Sequence, residues 1–537
     1  MKKINKILII ITLALSLILV TGCNPEQFNK LDKYKVNLDV DLNQKIELNG
    51  IYPNSGMSSS DFANGYTTHY YKELTGYNVK YNQILSTDTS GVITNILTTQ
   101  EKYHFMKLEA GTYFSLVSKD SFVDLTAVLQ KFGKNILEVI PQEAWEAVTL
   151  NGKIYAIPEI SFASMIGSTL VWNMDQLKEV GITEVPDTIG EIDEAFHKLQ
   201  THFGATNKSY HAFAMSGAES YMSQLASAFE LTKDFYRNEK GEIASTIYHE
   251  NYDDYMLWLN SLVLDGIISR EWQSYSGSDL VNNFARGDLG CGYINYWSIN
   301  NLCDQMAASS TLNYDSAQDA HDALGWVLEV KGDGSHGSIV QSRGKNNGGI
   351  GIGYYISIPI HMAEDAAYVI DWIDQRITTS AYEGFYLGKE GVHYNVVDST
   401  DPEAIEVYLG GQTKHIVPTD KFKKEILSNS MYATGANQAV GKALWCVREK
   451  TYNAWPILFF DEEAILENQM NMCPYIKGWS EIDIDSRSWI LTLEQKLINS
   501  TSQETVLNRI NELRNSWPKK YWTEEVNANV QAWYKNK

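Results

Sequence analysis

The sequence predicts an α/β fold built as two core-bearing domains, and three features predict it. A strand, a helix and a second strand follow one another between Ile46 and Tyr81. Roughly 500 residues follow the N-terminal leader, more than one hydrophobic core usually serves. A β-like run meets a proline at Pro158 and a fresh apolar run opens at Ser168, so one sheet is left before another begins.

Each element has a local reason. Ile46–Tyr52 reads as a strand, Ser59–Leu74 as a helix closed by Gly76, and Tyr77–Tyr81 as the next strand by alternation. Strand, helix, strand at this spacing is a βαβ unit, hence a largely parallel sheet. Ligands in such sheets sit beyond the carboxyl ends of the strands. The loop Tyr52–Met57 occupies that place and offers Asn54 and Ser55 as hydroxyl binders, a plain connection being the other reading. Phe122–Thr126 leads into a helix, and Asn151–Pro158 reads as a turn and a short strand. Pro158 cannot donate to a ladder, which puts that strand at a sheet edge or out of the sheet. Ser168–Trp172 is the next apolar strand, and Met174–Val180 an amphipathic helix stopped by Gly181. No period of 20–50 residues recurs, which argues against solenoids and propellers.

The N-terminus has its own grammar. Lys2, Lys3 and Lys6 precede the apolar run Ile7–Val20, which is shorter than the ~20 residues a membrane span needs. The run ends in Val20-Thr-Gly-Cys23, which resembles a bacterial lipobox. Residues 1–22 are therefore expected to be a lipoprotein signal peptide, Cys23 the lipidated residue, and 23–44 a lipidated, polar tether. Two acyl chains suffice for stable attachment. No later segment carries 18 consecutive apolar residues.

Composition excludes several classes. At 44% hydrophobic and 20% charged residues the chain is ordinary globular, not extended disorder. A net charge of −22 with no block of lysine and arginine argues against nucleic acid and against a second, electrostatic membrane contact. Cys291, Cys303, Cys446 and Cys473 form no CxxC pair and meet no histidines at finger spacing, so no structural zinc is expected; their pairing stays open. There is no Gly-x-Ser-x-Gly elbow, no HExxH and no GxxxxGK[ST] loop. Gly349–Gly353 leads into an apolar strand, Tyr354–Pro359, where phosphate binding would need a helix. Neither enzymatic activity nor a cofactor nor a metal is expected.

Several runs in order resemble family 1 extracellular solute-binding proteins, the group that includes maltose-binding protein and many Gram-positive sugar-binding lipoproteins. They are Tyr71–Val79, Val123–Thr126, Gly152–Pro158, Trp172–Leu177, Val180–Thr188, Tyr252–Gly266 with Ile267–Glu271, Phe284–Gly290, Tyr293–Trp297 and Gly388–Tyr394. One departure is Ala110–Phe114, where the family often has a Gly-Asp-x-Pro-Asp turn; a strand Tyr113–Val117 is expected after it, but no ligand contact carries over. The resemblance implies a type II periplasmic-binding-protein-like fold, two α/β lobes joined by a hinge crossed more than once, with ligand held between them. The crossings fall near Pro158 and near Leu328–Gly348. Lobe 1 then takes residues 45–158 and 349–430, lobe 2 takes 159–328, and 431–537 complete lobe 2 with C-terminal helices.

Sugar rings present apolar C–H faces rimmed by hydroxyls, which aromatic faces and amides satisfy. The chain has 14 Trp, 32 Tyr and 17 Phe, so position has to choose among them. Trp297 follows the strand Gly292–Tyr296 and precedes the helical Asn300–Met306, and by resemblance it falls where sugar-binding relatives carry a stacking aromatic. Tyr221 lies near the family's other aromatic position, and Trp172 faces either core or cleft. The resemblance puts the loop of His393 and Tyr394 near the cleft. The reading is a monomeric, lipid-anchored receptor on the extracellular face of the cell membrane that delivers an oligosaccharide to an ABC permease. The alternatives are the same receptor with a peptide or other non-sugar cargo, and a surface-anchored glycoside hydrolase. The latter would need two carboxylates roughly 5–9.5 Å apart.

Overall fold

The computed structural model describes residues 34–53, 59–84, 89–162, 168–217, 222–232, 234–295, 298–327, 330–332, 339–340, 350–427, 465–466, 475–476, 478–480 and 483–536. Contacts divide the chain into two compact units, residues 1–159 with 354–378, and 160–353 with 379–537. The second unit thus takes residues 349–353 and 379–430, out of the 349–430 that the sequence reading gave to the first lobe.

The first unit is an α/β layer around a five-stranded sheet. Strands β1 (Glu47–Pro53) and β2 (Asn78–Ile84) pair parallel from Glu47–Asn78 to Pro53–Ile84. Between them run a short helix, Ser59–Asn64, and α1 (Tyr66–Thr75), so the expected single helix is broken at Gly65. Gly76 ends α1 at φ 75°, a left-handed conformation glycine adopts without penalty. Strand β3 (Phe105–Leu108) also pairs parallel to β1. A Cβ on Gly50 would lie 2.1 Å from the Phe105 ring, so glycine lets that ring close on the sheet. The sheet continues with the strand Ile350–Ser357, antiparallel to β3, and ends on β4 (Ile157–Phe162). The strand carrying Pro158 is therefore an edge strand.

One expectation fails here. Tyr113–Val117 is not a strand but part of helix α2 (Ala110–Val117). The strand lies earlier because all four residues of β3, Lys107 included, are buried. The helix Ala366–Arg376 covers this sheet, with Trp372 fully buried and the Arg376 guanidinium 3.3 Å from its ring centroid and 4.6 Å from that of Tyr71. A cation over aromatic faces keeps its charge compensated without water.

The second unit has a four-stranded sheet. Strand β5 (Ser168–Asn173) pairs antiparallel with β7 (Leu289–Asn295), which pairs parallel with β6 (His211–Ala214). Strand β8 (Leu324–Val327) closes the other side of β5. Helix α3 (Met174–Glu179) starts at Asn173, whose Oδ1 accepts from the N–H groups of Asp175 and Gln176. Helix α4 (Ile189–Phe203) starts in a capping box between Thr188 and Glu191, and its apolar face carries Ile192, Phe196 and Leu199 into the core.

Helix α5 (Tyr252–Leu264) packs beside α4. His197 on α4 sits 3.4 Å from Asp265 Oδ2, just past α5, and its Nδ1 is 2.8 Å from the Asp193 carbonyl. Desolvation pulls this imidazole down, but the hydrogen bonds and charges of Asp193 and Asp265 outweigh it and hold its pKa above the ordinary value. A raised folded pKa adds stability below the unfolded value of about 6.5, lost as pH rises through the folded one. The side chain is half exposed, so His197→Gln should remove less than about 1 kcal/mol at pH 5.5 and almost nothing at pH 8. Urea unfolding at the two pH values checks this, and equal losses at both would refute it.

Past α5 come α6 (Gly277–Ala285), α7 (Ile299–Ala307) and the C-terminal helices α8 (Asp483–Ile498), α9 (Gln503–Lys520) and α10 (Glu524–Asn536). The last three dock by polar locks. The fully buried Asn260 of α5 donates to the carbonyls of Ile498 and Ser500 at 2.8 Å each, and Arg514 grips Asp253 through two hydrogen bonds. A separate three-stranded antiparallel sheet, Tyr394–Val397, Gln412–Pro418 and Ile405–Leu409, also belongs to this unit. Among the described residues no helix is long and apolar enough to cross a membrane. Cys291 and Cys303 are free and buried; burial raises both thiols, Cys303 to about 12. Cys446 and Cys473 lie outside the described residues.

Candidate functional site

In the second unit β6 and β7 run parallel and β5 opposes them, so the carboxyl ends of β6 and β7 share one end with Ser168 at the start of β5. Ser168 Oγ donates to Asn295 Oδ1 at 2.6 Å. That bond fixes the amide, and among the described residues nothing accepts from its Nδ2. Beyond β6, the Gly217 N–H donates to the Tyr275 carbonyl at 2.8 Å. A Cβ at Gly217 would lie 2.0 Å from the Gln273 carbonyl oxygen, so only glycine admits this approach.

Tyr275 is half-buried, packed against both apolar clusters of the unit. Directly after it, Ser276 caps α6: its Oγ accepts from the Asp279 N–H, and Asp279 Oδ2 accepts from the Ser276 N–H at 2.8 Å. Hydrogen bonds from the Ser276 hydroxyl and backbone hold the Asp279 carboxyl below its ordinary value. The start of α6 lies against Asn295, since a Cβ on Gly277 would be 3.6 Å from its Nδ2. Tyr275, the Asn295 amide and the exposed Ser276 thus lie at one strand end, with the Ser276 hydroxyl turned to Asp279 Oδ2 at 2.6 Å. Such a set suits an uncharged, polyhydroxylated solute.

In the first unit Glu109 follows β3. It is exposed, extended at φ −72° and ψ 156°, and its side chain makes no capping bond to α2. Beside it, Lys107 Nζ meets Glu159 Oε1 at 2.8 Å and lies 4.2 Å from the Tyr354 ring centroid. Tyr66 and Tyr70, half-buried at the start of α1, stack at 5.6 Å with their planes 10° apart, as i, i+4 spacing on a helix allows.

The residues expected from sequence divide into three groups. Trp172 is fully buried, stacked at 5.2 Å on Phe196, and has no surface to offer a ligand. His393 is corrected in the same sense. It is 3% exposed, its Nδ1 accepts from the Lys389 N–H at 2.8 Å, and its Nε2 therefore carries the proton that faces Glu425 Oε2 at 3.2 Å. Both ring nitrogens are spent on structure. Tyr394 is half exposed, and burial, then Glu390 and Glu383, hold its phenol above the ordinary value. Cys23, Asn54, Ser55, Tyr221 and Trp297 lie outside the described residues.

Sequence reasoning missed Glu109, Tyr275 and Asn295. Asn295 was within reach, standing two residues before Trp297 at the end of an apolar strand. Glu109 was hidden by the misplaced strand, and Tyr275 by a contact with Gly217 that no local pattern announces. Among the described residues no group of three or more His, Cys, Asp or Glu side chains is placed to hold a metal ion.

The fold is shared with solved receptors at low sequence identity. The Streptococcus pneumoniae ABC-transporter substrate-binding protein FusA, in complex with kestose, is 14% identical over 91% of this chain and 99% of its own, with a TM-score of 0.62. The alginate-binding protein AlgQ2, without calcium ion, is 12% identical over 92% and 99%, at 0.64. The N-glycan transport solute-binding protein NgtS from Streptococcus pneumoniae, in complex with Man5GlcNAc, is 13% identical over 92% and 99%, at 0.53. No curated protein matches the sequence. A family profile described as bacterial extracellular solute-binding protein matches residues 56–374, more than half of the 537. With two α/β units and that match, the chain belongs to the bacterial extracellular solute-binding protein family.

Proposed function

We propose that this chain is the capture subunit of an ABC importer, that its cargo is an oligosaccharide, and that lipid on Cys23 holds it, as a monomer, at the extracellular face of the membrane. The observation that carries the cargo is the strand end of the second unit, where Tyr275, Ser276 and the Asn295 amide, whose Nδ2 has no acceptor among the described residues, lie together. The ring supplies a face for sugar C–H groups, and the amide and hydroxyls answer the ring's hydroxyls. Trp297 and Tyr221, close in sequence to Asn295 and Gly217, are proposed to add stacking, with Tyr394, Asn54 and Ser55 as further contacts. Three relatives of the same fold are solved with, or named for, kestose, alginate and an N-glycan, which supports a carbohydrate over an amino acid. The lipobox-like Val20–Cys23 supports the anchor, and family membership supports delivery to a permease.

The test is calorimetric titration of residues 24–537 with kestose, maltotriose, alginate oligomers, Man5GlcNAc and tripeptides. One of the sugars is expected to bind, and Tyr275→Ala or Trp297→Ala to cost about 1.5–3 kcal/mol, a ten- to hundredfold weakening. A peptide that binds in place of every sugar would keep the receptor and remove the cargo. A sugar that binds both variants as tightly as wild type would remove the site.

A further inference from the structure

The C-terminal helix α8 reaches the strand-end surface just described. Gln495 Nε2 donates to the Gly217 carbonyl at 2.8 Å. One turn later Asn499 accepts from Trp272 Nε1 at 3.0 Å and donates from its Nδ2 to the Arg270 carbonyl at 3.1 Å. The Gln273 side chain returns the contact by donating to the Gln495 carbonyl at 3.3 Å. These four bonds converge on both sides of the Gly217–Tyr275 junction: one holds the backbone beyond β6, the others hold the turn that ends in Tyr275.

The junction needs holding. Gly217 keeps its N–H on Tyr275, but its carbonyl lies beyond the last residue of β6 and has no ladder partner there. Gln495 supplies one. The helix that carries Gln495 is itself fixed by other bonds to α5: Glu494 Oε1 accepts from the buried Tyr252 hydroxyl at 3.1 Å, and Asn260 holds the carbonyls of Ile498 and Ser500. Bonds to α5 and bonds to the junction together make α8 a strut.

We infer that Gln495 and Asn499 are positioning residues for the solute site: they set where Tyr275 and the Gly217 backbone stand without touching solute themselves. This rests on the reading of that strand end as the sugar-binding surface. It gives the C-terminal segment a part in specificity, through contacts that span 222 to 278 residues of sequence.

The experiment is hydrogen–deuterium exchange on residues 24–537, wild type against Gln495→Met, which keeps the length and loses the donor. Gln495→Glu, which puts an acceptor where the donor was, serves as the second variant. Losing one such bond is expected to speed exchange in peptides covering 213–217 and 270–276 about tenfold. Amides of β5 and α4, and the melting temperature, should stay at wild-type values. Unchanged exchange at the junction overturns the assignment, and so does a rise spread evenly over the unit with a fall in melting temperature, the mark of a merely structural helix. The titration of Tyr275→Ala tests the underlying site separately. Faster local exchange with sugar binding unaffected by Tyr275→Ala would leave the strut and remove its site, and unchanged exchange with weakened binding would do the reverse.

Discussion

Replacing Trp172 with alanine is expected to lower the unfolding free energy by about 3–5 kcal/mol while leaving solute affinity unchanged. The indole is 0% exposed near the end of β5, with β7 and β8 on either side and the Phe196 ring stacked at 5.2 Å. Phe196 stacks in turn on Phe213 at 4.8 Å, so truncation at 172 empties one end of a three-ring column that cannot collapse without moving two strands. Part of the loss is recovered because the indole N–H has no acceptor among the described residues, and an alanine strands nothing polar. Urea unfolding measures the first half of the prediction and titration well below the melting temperature measures the second. A small loss of stability with abolished sugar binding would return Trp172 to the solute site and refute its place in the core.

The ambiguity of Trp172 in the sequence has a physical cause that recurs along the chain. Every residue of β5 after Ser168 is buried, because the sheet is covered on both faces, and alternation then carries no information about direction. The βαβ start was legible because β1 and β2 have turn signals and a glycine stop between them, and Pro158 announced its own edge strand. Strand β3 was not legible: it is four residues long and holds a lysine at a buried position, which reads locally as surface. His393 misled for another reason. Its burial comes from the small antiparallel sheet of residues 394–418 and from Glu425, partners too far along the chain for local pattern to suggest. The candidate site was legible to the extent that it follows from topology, which points to strand ends. Tyr275, Asn295 and Gln495 depend on contacts that span from 58 to 278 residues, such as Gly217–Tyr275 and Gly217–Gln495, and no spacing rule reaches across those.

Lys107→Met is expected to destabilise the first unit by about 3–5 kcal/mol, and Lys107→Met combined with Glu159→Leu to recover most of that loss. The lysine side chain is 5% exposed and that of Glu159 17%, with Nζ and Oε1 2.8 Å apart. Glu159 Oε2 is buried with no partner among the described residues, so the carboxylate depends on this ammonium for much of its compensation. Removing the cation leaves a mostly buried carboxylate, with one oxygen fully shielded, without its counter-charge, which costs more than the pair gains by being formed. The two residues stand on β3 and β4, with the strand Ile350–Ser357 between them and the Tyr354 ring 4.2 Å from the ammonium. An ion pair laid across a strand fixes register there, because a slip by one residue would turn Lys107 to the opposite face. Glu159 is also the last residue of the first unit before the chain leaves it, and Tyr354 the first after it returns, so the pair ties the exit strand β4 to β3 across the re-entry strand, whose Tyr354 ring faces the ammonium. A double-mutant cycle by urea unfolding decides the matter. A coupling energy of about 2 kcal/mol or more would establish the clamp. Additive losses, or a Lys107→Met variant within about 1 kcal/mol of wild type, would reduce the pair to a solvent-screened contact and leave the register to backbone pairing alone.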